Sequence, residues 1–192
     1  FLVLSVATLT ATAATSAIAK GDRQLAELKQ QLEQSTTTPE IKEGGLWVTG
    51  DSVILGIRFE LDTRQHIGLM NARVGRQAPE LLEVIQHDKA NMQGAPIVLN
   101  LGNNNKLSED QVAAIFEAIA DQPKIVVVNT AVPRGWRGEN NALIAQYAAR
   151  YGAQLVDWAA VSDGHPEYFG PDGVHLVPAG VRAYVDAITS KL

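Results

Sequence analysis

Short runs of apolar residues alternate with amphipathic stretches from about residue 41 to the end of this chain. Several runs are rich in Val, Ile and Leu without polar alternation, which is typical of parallel strands buried on both faces. Strands that alternate with helical patterns indicate βαβ units. The pattern therefore predicts a parallel sheet flanked by helices, with five strands at residues 46–49, 67–73, 96–101, 124–129 and 154–157.

Two of the predicted helices have clear start signals. Ser108 and Gln111 have the spacing of a capping box, and Pro178 stands near the first turn of the last helix. After each start, apolar residues recur every three or four positions, as on the buried face of an amphipathic helix. These residues are Val112, Ile115, Phe116 and Ile119 in the first helix, and Val181, Tyr184, Val185 and Ile188 in the second.

The first 40 residues differ from this pattern. Residues 1–20 are uncharged as far as Ala19, which predicts a membrane-directed segment. It fits the end of a signal peptide or of a transmembrane helix, and an ordinary buried helix is the third interpretation. Residues 21–40 predict a linker helix and a tether, so the globular domain is assigned to residues 41–192. Because the chain starts with Phe rather than Met, we expect a further portion upstream.

The amino-acid composition limits the binding partners and the catalytic residues that this chain can have. The formal net charge is −5 and the 16 basic residues are scattered, which argues against a nucleic-acid partner. There is no cysteine, which excludes disulfides, a thiolate nucleophile and cysteine-ligated zinc. A nucleophilic side chain would therefore have to be Ser, Thr or a carboxylate.

Three residues in the order Ser, Asp, His have the pattern of a catalytic triad. Ser52 follows the first predicted strand, while Asp172 and His175 precede the last helix. A serine hydroxyl becomes nucleophilic when an adjacent imidazole takes its proton and a carboxylate orients that imidazole. Sites in open α/β sheets lie beyond the carboxyl ends of the strands, where these residues are expected to meet. The pattern predicts an esterase or an acyltransferase.

The same residues have simpler interpretations. Gly50-Asp51-Ser52 is also a common turn, and Asn103-Asn104-Asn105 could be a polar turn at a strand end. Asp172 and His175 could instead bind a metal ion, but the sequence shows no second His, Asp or Glu cluster to complete the ligands. We therefore expect neither a metal ion nor another cofactor.

Four segments resemble the SGNH (GDSL-type) hydrolases, named for Ser, Gly, Asn and His residues in four blocks. They are Gly50-Asp51-Ser52-Val53, Gly75 within Ala72 to Arg76, Gly102-Asn103-Asn104 and Asp172 to Leu176. The resemblance covers about residues 45–192 and implies a flavodoxin-like, three-layer α/β/α sandwich. The chain resembles the extracytoplasmic C-terminal domain of the OatA-type peptidoglycan O-acetyltransferases more closely. Two further segments, Asn129 to Trp136 and Gly164 to His175, contribute to this closer resemblance.

The resemblance implies a role for each matched residue. Ser52 would be the nucleophile, His175 the general base and then acid, and Asp172 the orienting carboxylate. The peptide N–H groups of Ser52 and Gly75, with the side chain of Asn104, would form the oxyanion hole.

One residue departs from the family pattern. Asn105 stands where many hydrolases of this class have Asp. The departure weakens a plain hydrolase interpretation more than it weakens the triad.

Three further residues are weaker candidates for substrate binding. Arg134 and Trp136 offer a guanidinium and an aromatic face, which suit a carboxylate and a sugar ring. Packing of Trp136 over a helix is the alternative interpretation. His165 is a candidate for the rim of the site.

The resemblance implies a bacterial cell-envelope enzyme that is tethered to the membrane, with its catalytic domain on the extracytoplasmic face. An upstream membrane acyltransferase domain would supply the acetyl group, and a seryl acetyl-enzyme would pass it to a glycan. The expected acceptor is the C6 hydroxyl of N-acetylmuramoyl residues in peptidoglycan. A secreted carbohydrate esterase or deacetylase, an acetyltransferase for another envelope glycan or glycolipid, and a non-catalytic glycan-binding domain remain alternatives.

Overall fold

A sheet of five parallel strands forms the centre of the computed structural model, which describes residues 44–192. The strands are β1 (Leu46–Gly50), β2 (Ile67–Ala72), β3 (Ile97–Asn100), β4 (Ile125–Val128) and β5 (Gln154–Val156), in the order β2-β1-β3-β4-β5. Each end lies within one residue of its prediction, so the predicted parallel sheet is confirmed. β1 lies between β2 and β3, and the chain changes direction across the sheet there, which opens a crevice at the carboxyl ends of the strands.

Helices cover both faces of the sheet. They are α1 (Ser52–Gly56), α2 (Arg58–Asp62), α3 (Ala78–Asp88), α4 (Glu109–Ile119), α5 (Arg137–Arg150), α6 (Trp158–Val161) and α7 (Pro178–Thr189), with short 3₁₀ helices at Lys89–Asn91 and Pro166–Tyr168. The buried residues of α3, α4 and α5 form one hydrophobic core, and those of α1, α2, α6 and α7 form a second. The three-layer α/β/α architecture is therefore confirmed.

Successive residues of a strand belong alternately to the two hydrophobic cores. Trp47 belongs to one core and Val48 to the other, and Val127 and Val128 divide in the same way. Successive side chains of a strand point to opposite faces, so a sheet covered on both sides needs apolar residues at every position. This explains the apolar runs without polar alternation.

The predicted helix starts are also confirmed. The Ser108 Oγ accepts a hydrogen bond from the peptide N–H of Gln111 at 3.2 Å, and the Gln111 side chain accepts one from the Ser108 N–H at 3.1 Å. Pro178 is the first residue of α7. The two helices thus begin where local hydrogen bonding and backbone geometry favour it.

The predicted membrane-directed segment at residues 1–20 and the linker at residues 21–40 lie outside the described residues. Within residues 44–192, no helix is both long enough and apolar enough to cross a bilayer. The start of the globular domain at residue 41 stays a prediction.

Candidate active site

The nucleophile turn joins β1 to α1. Gly50 ends the strand with a φ of +151°, and a Cβ at this position would lie 1.8 Å from the Asn100 Oδ1. Only glycine fits a site that combines this φ with so close an approach. Asp51 then caps α1, because its carboxylate accepts a hydrogen bond from the Val53 N–H at 3.0 Å, and Ser52 is the first residue of the helix. The Ser52 N–H therefore has no partner within the helix.

Ser52, His175 and Asp172 form a continuous series of hydrogen bonds. The His175 Nε2 lies 3.0 Å from the Ser52 Oγ, although 123 residues separate the two in the chain. The other ring nitrogen, Nδ1, lies 2.6 Å from the Asp172 Oδ2. The structure thus brings the three predicted residues together with the imidazole between hydroxyl and carboxylate, as nucleophilic catalysis requires.

The turn that holds Asp172 also fixes its charge. Its Oδ1 accepts hydrogen bonds from the Val174 and His175 N–H groups at 2.9 and 3.0 Å. The His175 ring, followed by these two N–H groups, lowers the pKa of Asp172 to about 2. The carboxylate is therefore ionised at any pH near neutrality and can orient and stabilise the imidazolium.

Asp51 is a second carboxylate of the site, and it is buried beneath the nucleophile. Its oxygens accept hydrogen bonds from the Asn100 Nδ2 at 2.8 Å and from the Asn103 Nδ2 at 3.0 Å, besides the Val53 N–H. Burial raises the pKa of Asp51, and these hydrogen bonds oppose the rise. Asp51 therefore connects the nucleophile turn to the loop that follows β3.

The other two predicted oxyanion donors, Gly75 and Asn104, lie on adjoining loops. Gly75 follows β2 and has a φ of +73°, which side chains rarely adopt. The Asn104 Nδ2 donates a hydrogen bond to the Arg76 carbonyl at 3.1 Å, so its side chain lies against the Gly75 loop. An asparagine amide has two N–H groups, and one bond leaves the second for a ligand.

The Asn105 side chain has a structural function. Its Oδ1 accepts a hydrogen bond from the Ala78 N–H at 3.2 Å, at the start of α3, and its Nδ2 donates to the Lys106 carbonyl at 2.8 Å. This position needs an acceptor oxygen at the helix start, which Asn supplies as Asp would. No hydrogen bond among the described residues joins Asn105 to the triad.

Sequence reasoning missed a buried asparagine that holds the loop after β3. Asn140 lies on α5, accepts a hydrogen bond from the Leu107 N–H and donates to the Gly102 and Asn105 carbonyls, each at 2.9 Å. It is fully buried. The sequence indicated its burial but not its partners, because Asn140 stands four residues before Ile144 on the buried face of the helix.

Arg134 and Trp136 lie on a loop beside the triad turn. A Cβ at Gly173 would lie 3.3 Å from the Pro133 ring, which shows how closely the two loops pack. Arg134 is exposed, and Trp136 is half-buried with an indole N–H that has no hydrogen-bond partner among the described residues. The positions suit a substrate-binding role, which stays a prediction.

His165 lies on the segment that pairs with the triad turn. Its ring stacks on Tyr168 at 4.6 Å, and its Nδ1 lies 2.8 Å from the Glu167 carboxylate, whose pKa it lowers. The Gly170 N–H donates to the His175 carbonyl at 2.7 Å, which joins this segment to the turn. The exposed His165 thus lies near the site, without a hydrogen bond to any triad residue in the described part of the chain.

A cleft of about 520 Å³ opens between α5 and α6. Arg137, Asp157 and Asp163 are its charged lining residues. Asn129 borders this cleft and also a small cavity that Val53 and Val174, the neighbours of Ser52 and His175, help to line. The cleft is large enough for a sugar unit, and Asn129 is the residue that it shares with the small cavity next to the triad.

Between residues 44 and 192, no three His, Cys, Asp or Glu side chains are grouped so that they could hold a metal ion. Of the other histidines, His87 lies on the surface of α3 and pairs with Asp88 at 2.8 Å.

Comparison with known proteins identifies relatives of this chain. It matches no family model. The chain is 37% identical over 160 residues to the peptidoglycan O-acetyltransferase OatA of Listeria monocytogenes, and the match covers 83% of this chain and 26% of that protein. The chain therefore spans about a quarter of the length of this curated relative.

Solved structures share the fold. The C-terminal catalytic domain of peptidoglycan O-acetyltransferase A from Streptococcus pneumoniae, solved with a methylsulfonyl adduct, superposes with a TM-score of 0.62 at 24% identity, covering 79% of this chain and 93% of that domain. A GDSL-like lipase from Bacteroides thetaiotaomicron gives a TM-score of 0.61 at 18% identity, covering 84% of this chain and 95% of that one. The chain is thus a homologue of the OatA-type peptidoglycan O-acetyltransferases, and its fold is that of the SGNH (GDSL-type) hydrolases.

Proposed function

We propose that this chain is an O-acetyltransferase domain that moves an acetyl group through Ser52 to a hydroxyl of a cell-envelope glycan. The observation that carries the proposal is the hydrogen-bonded series Ser52, His175 and Asp172. The homology to OatA supports acetyl transfer as the reaction.

In the first half-reaction, the His175 Nε2 takes the proton of the Ser52 hydroxyl as the Oγ attacks the acetyl carbonyl carbon. The developing negative charge on the carbonyl oxygen is stabilised by the N–H groups of Ser52 and Gly75 and by the Asn104 side chain. The imidazolium, held by the ionised Asp172, then protonates the leaving group. The product is an acetyl ester on Ser52.

In the second half-reaction, a sugar hydroxyl occupies the place of the leaving group. His175 takes its proton, the hydroxyl oxygen attacks the acetyl-enzyme, and collapse of the tetrahedral intermediate restores Ser52. The proposed acceptor is the C6 hydroxyl of an N-acetylmuramoyl residue in peptidoglycan, since the Listeria relative is a peptidoglycan O-acetyltransferase.

The cavities described next to the nucleophile turn are small. Two cavities adjoin the nucleophile turn, one that Val53 helps to line and one that Gly50 and Asp51 help to line, and each has about 10 Å³. Each cavity has room for about one water molecule, so neither accommodates a long acyl chain. An acetyl group is short and does not need a deep acyl-binding cavity.

The wider arrangement is also a proposal. The Listeria relative is about four times as long as its match to this chain, which leaves room for an upstream membrane domain that supplies the acetyl group. The catalytic domain would then act on the extracytoplasmic face of the cell membrane, tethered by the segment before residue 41. Arg134, Trp136 and the cleft beside Asn129 would bind the acceptor glycan.

The test is a product analysis with the full chain. It is incubated with a chromogenic acetyl ester, with and without muramoyl-containing glycan oligomers, and the products are identified by mass spectrometry. Acetylated glycan that is absent with the Ser52→Ala variant supports the proposal. Free acetate alone, at a rate that glycan does not change, contradicts transfer to this acceptor.

An esterase is the second candidate, and the exposure of the triad favours it. The side chains of His175 and Asp172 are 55% and 50% exposed, so water reaches the base directly. Water would then compete with the sugar hydroxyl for the acetyl-enzyme. The ratio of acetate to acetylated glycan, measured at increasing glycan concentration, separates the two functions.

A further inference from the structure

Arg76, the residue after Gly75, is a buried arginine with 7% of its surface exposed. Its Nη1 donates hydrogen bonds to the carbonyls of Gly50, at 3.1 Å, and Asn71. Its Nη2 donates to the Asn71 Oδ1 at 2.8 Å. No carboxylate forms an ion pair with Arg76 in residues 44–192, and its Nε–H lacks a hydrogen-bond partner there.

Arg76 is bonded to a group next to each of the three predicted oxyanion donors. The Gly50 carbonyl, which its guanidinium binds, lies two residues before Ser52. Gly75 is joined to Arg76 by a peptide bond, and the Asn104 side chain donates to the Arg76 carbonyl. A shift of Arg76 would therefore move the three donors relative to one another.

The residue type fits this task. A guanidinium is planar and directs several N–H groups in fixed directions, whereas an ammonium is a point charge on a flexible stem. Burial lowers the pKa of Arg76, and the nearby positive charge of Arg73 lowers it further. A guanidinium nevertheless keeps its charge at ordinary pH. Burying an unpaired charge costs folding free energy, so the interior of a purely structural loop would favour an apolar residue.

We propose that Arg76 is a positioning residue for the oxyanion hole. It keeps the Ser52 N–H, the Gly75 N–H and the Asn104 side chain directed at the same oxygen position. It does so through its hydrogen bonds to Gly50 and Asn71 and through its own carbonyl. The inference rests on the proposed acetyl-transfer function, because it assigns a task within that reaction. Arg76 acts through the donors and does not itself contact the substrate.

The first experiment compares Arg76→Lys with Arg73→Lys in the full chain. Arg73 is the matched control, since it lies on the same loop and its side chain pairs with Glu80 at the surface. With a chromogenic acetyl ester, Arg76→Lys is expected to lower kcat about 10- to 100-fold and to leave KM within about twofold, because the donors act on the transition state. Arg73→Lys is expected to keep the wild-type kcat.

A double-mutant cycle separates positioning from general loosening. Because Asn104 is one of the three donors that Arg76 positions, Arg76→Lys combined with Asn104→Ala is expected to lose less kcat than the product of the two single losses. Losses that multiply would overturn the inference. Asn71→Ala removes the Oδ1 that accepts from the Arg76 Nη2, together with the hydrogen bond from the Asn71 Nδ2 to the Asp88 carboxylate. It is expected to lower kcat in the same way, and decides the matter if Arg76→Lys does not fold.

The outcomes are distinguishable. An inactive wild-type chain would overturn the proposed function and this inference with it. An active wild type whose kcat is unchanged by Arg76→Lys, or by Asn71→Ala, would overturn this inference and leave the triad assignment intact.

Discussion

Asp51 and Asn100 exchange two hydrogen bonds beneath the nucleophile. The Asp51 N–H donates to the Asn100 Oδ1 at 3.0 Å, and the Asn100 Nδ2 donates to the Asp51 Oδ1 at 2.8 Å. Both residues are buried, and they lie at the carboxyl ends of the neighbouring strands β1 and β3. The pair therefore fixes the start of α1, and with it Ser52, relative to the loop that follows β3.

Replacing Asn100 by Ala is expected to destabilise the fold. The change leaves the Asp51 N–H without its acceptor and the buried carboxylate without one of its donors, which costs roughly 2–4 kcal/mol. Denaturant unfolding measures the loss. Asn91→Ala, at an exposed asparagine, is the control, and equal midpoints for the two variants would contradict the prediction.

Replacing Ser52 or His175 by Ala is expected to lower acetyl-ester turnover by roughly 10⁴-fold or more, since each change removes a part of one catalytic unit. The double variant is expected to be no slower than the slower single variant, because the two residues act together. Steady-state kinetics check this, with His87→Ala as a surface control. A Ser52→Ala chain with near-normal turnover would exclude the proposed mechanism.

Replacing Asp172 by Asn is expected to lower turnover by about 10⁴-fold, because the imidazole loses the carboxylate that orients it and stabilises its charge. The measurement is kcat at neutral pH, with Asp62→Asn, at an exposed aspartate that ends α2, as the control. A loss of less than about tenfold would show that His175 is oriented by other contacts.

The pKa of Asp172 also predicts a pH dependence of stability. Because the folded pKa of about 2 lies below the ordinary value of 3.8, ionised Asp172 stabilises the folded state at a pH above about 4, and the contribution disappears as pH falls through 2. The half-exposed position makes the contribution small. Unfolding free energies of the wild type and Asp172→Asn, measured between pH 2 and 6, should converge at the acid end. A constant difference would contradict the prediction.

Replacing Asn104 by Ala is expected to lower kcat by about 10² to 10³-fold while KM changes little, which is the signature of a donor that acts on the transition state. The rate of acetyl-ester hydrolysis at saturating substrate is the measurement, and Asn91→Ala again serves as the control. A change in KM alone would assign Asn104 to ground-state binding instead.

Local patterns predicted the elements well, because their causes are local. The Ser108 and Gln111 side chains bond to backbone groups three residues away, and the apolar runs follow from burial on both faces of the sheet. The meeting of Ser52 with Asp172 and His175 was predictable as well. Parallel strands place their carboxyl ends at one edge, and each of these residues belongs to a segment at that edge.

The supporting contacts could not be predicted from the sequence. Asn140 reaches the loop after β3 from 33 to 38 residues away, and Arg76 meets the Gly50 carbonyl 26 residues earlier in the chain. Neither pairing leaves a short-range pattern, because the partners are backbone groups that every residue possesses. Only their positions in the fold distinguish them.

By itself the sequence determined the sheet, the helix starts and the residue types of the triad, since hydrophobic period, capping chemistry and chain order are properties of the chain. The tertiary structure decided the distances of 3.0 Å from Ser52 to His175 and 2.6 Å from His175 to Asp172, and the burial of Asp51 and Arg76. Those depend on how loops from separate strands pack together. The free energy of such packing is a sum over contacts between residues distant in sequence, which no local pattern records.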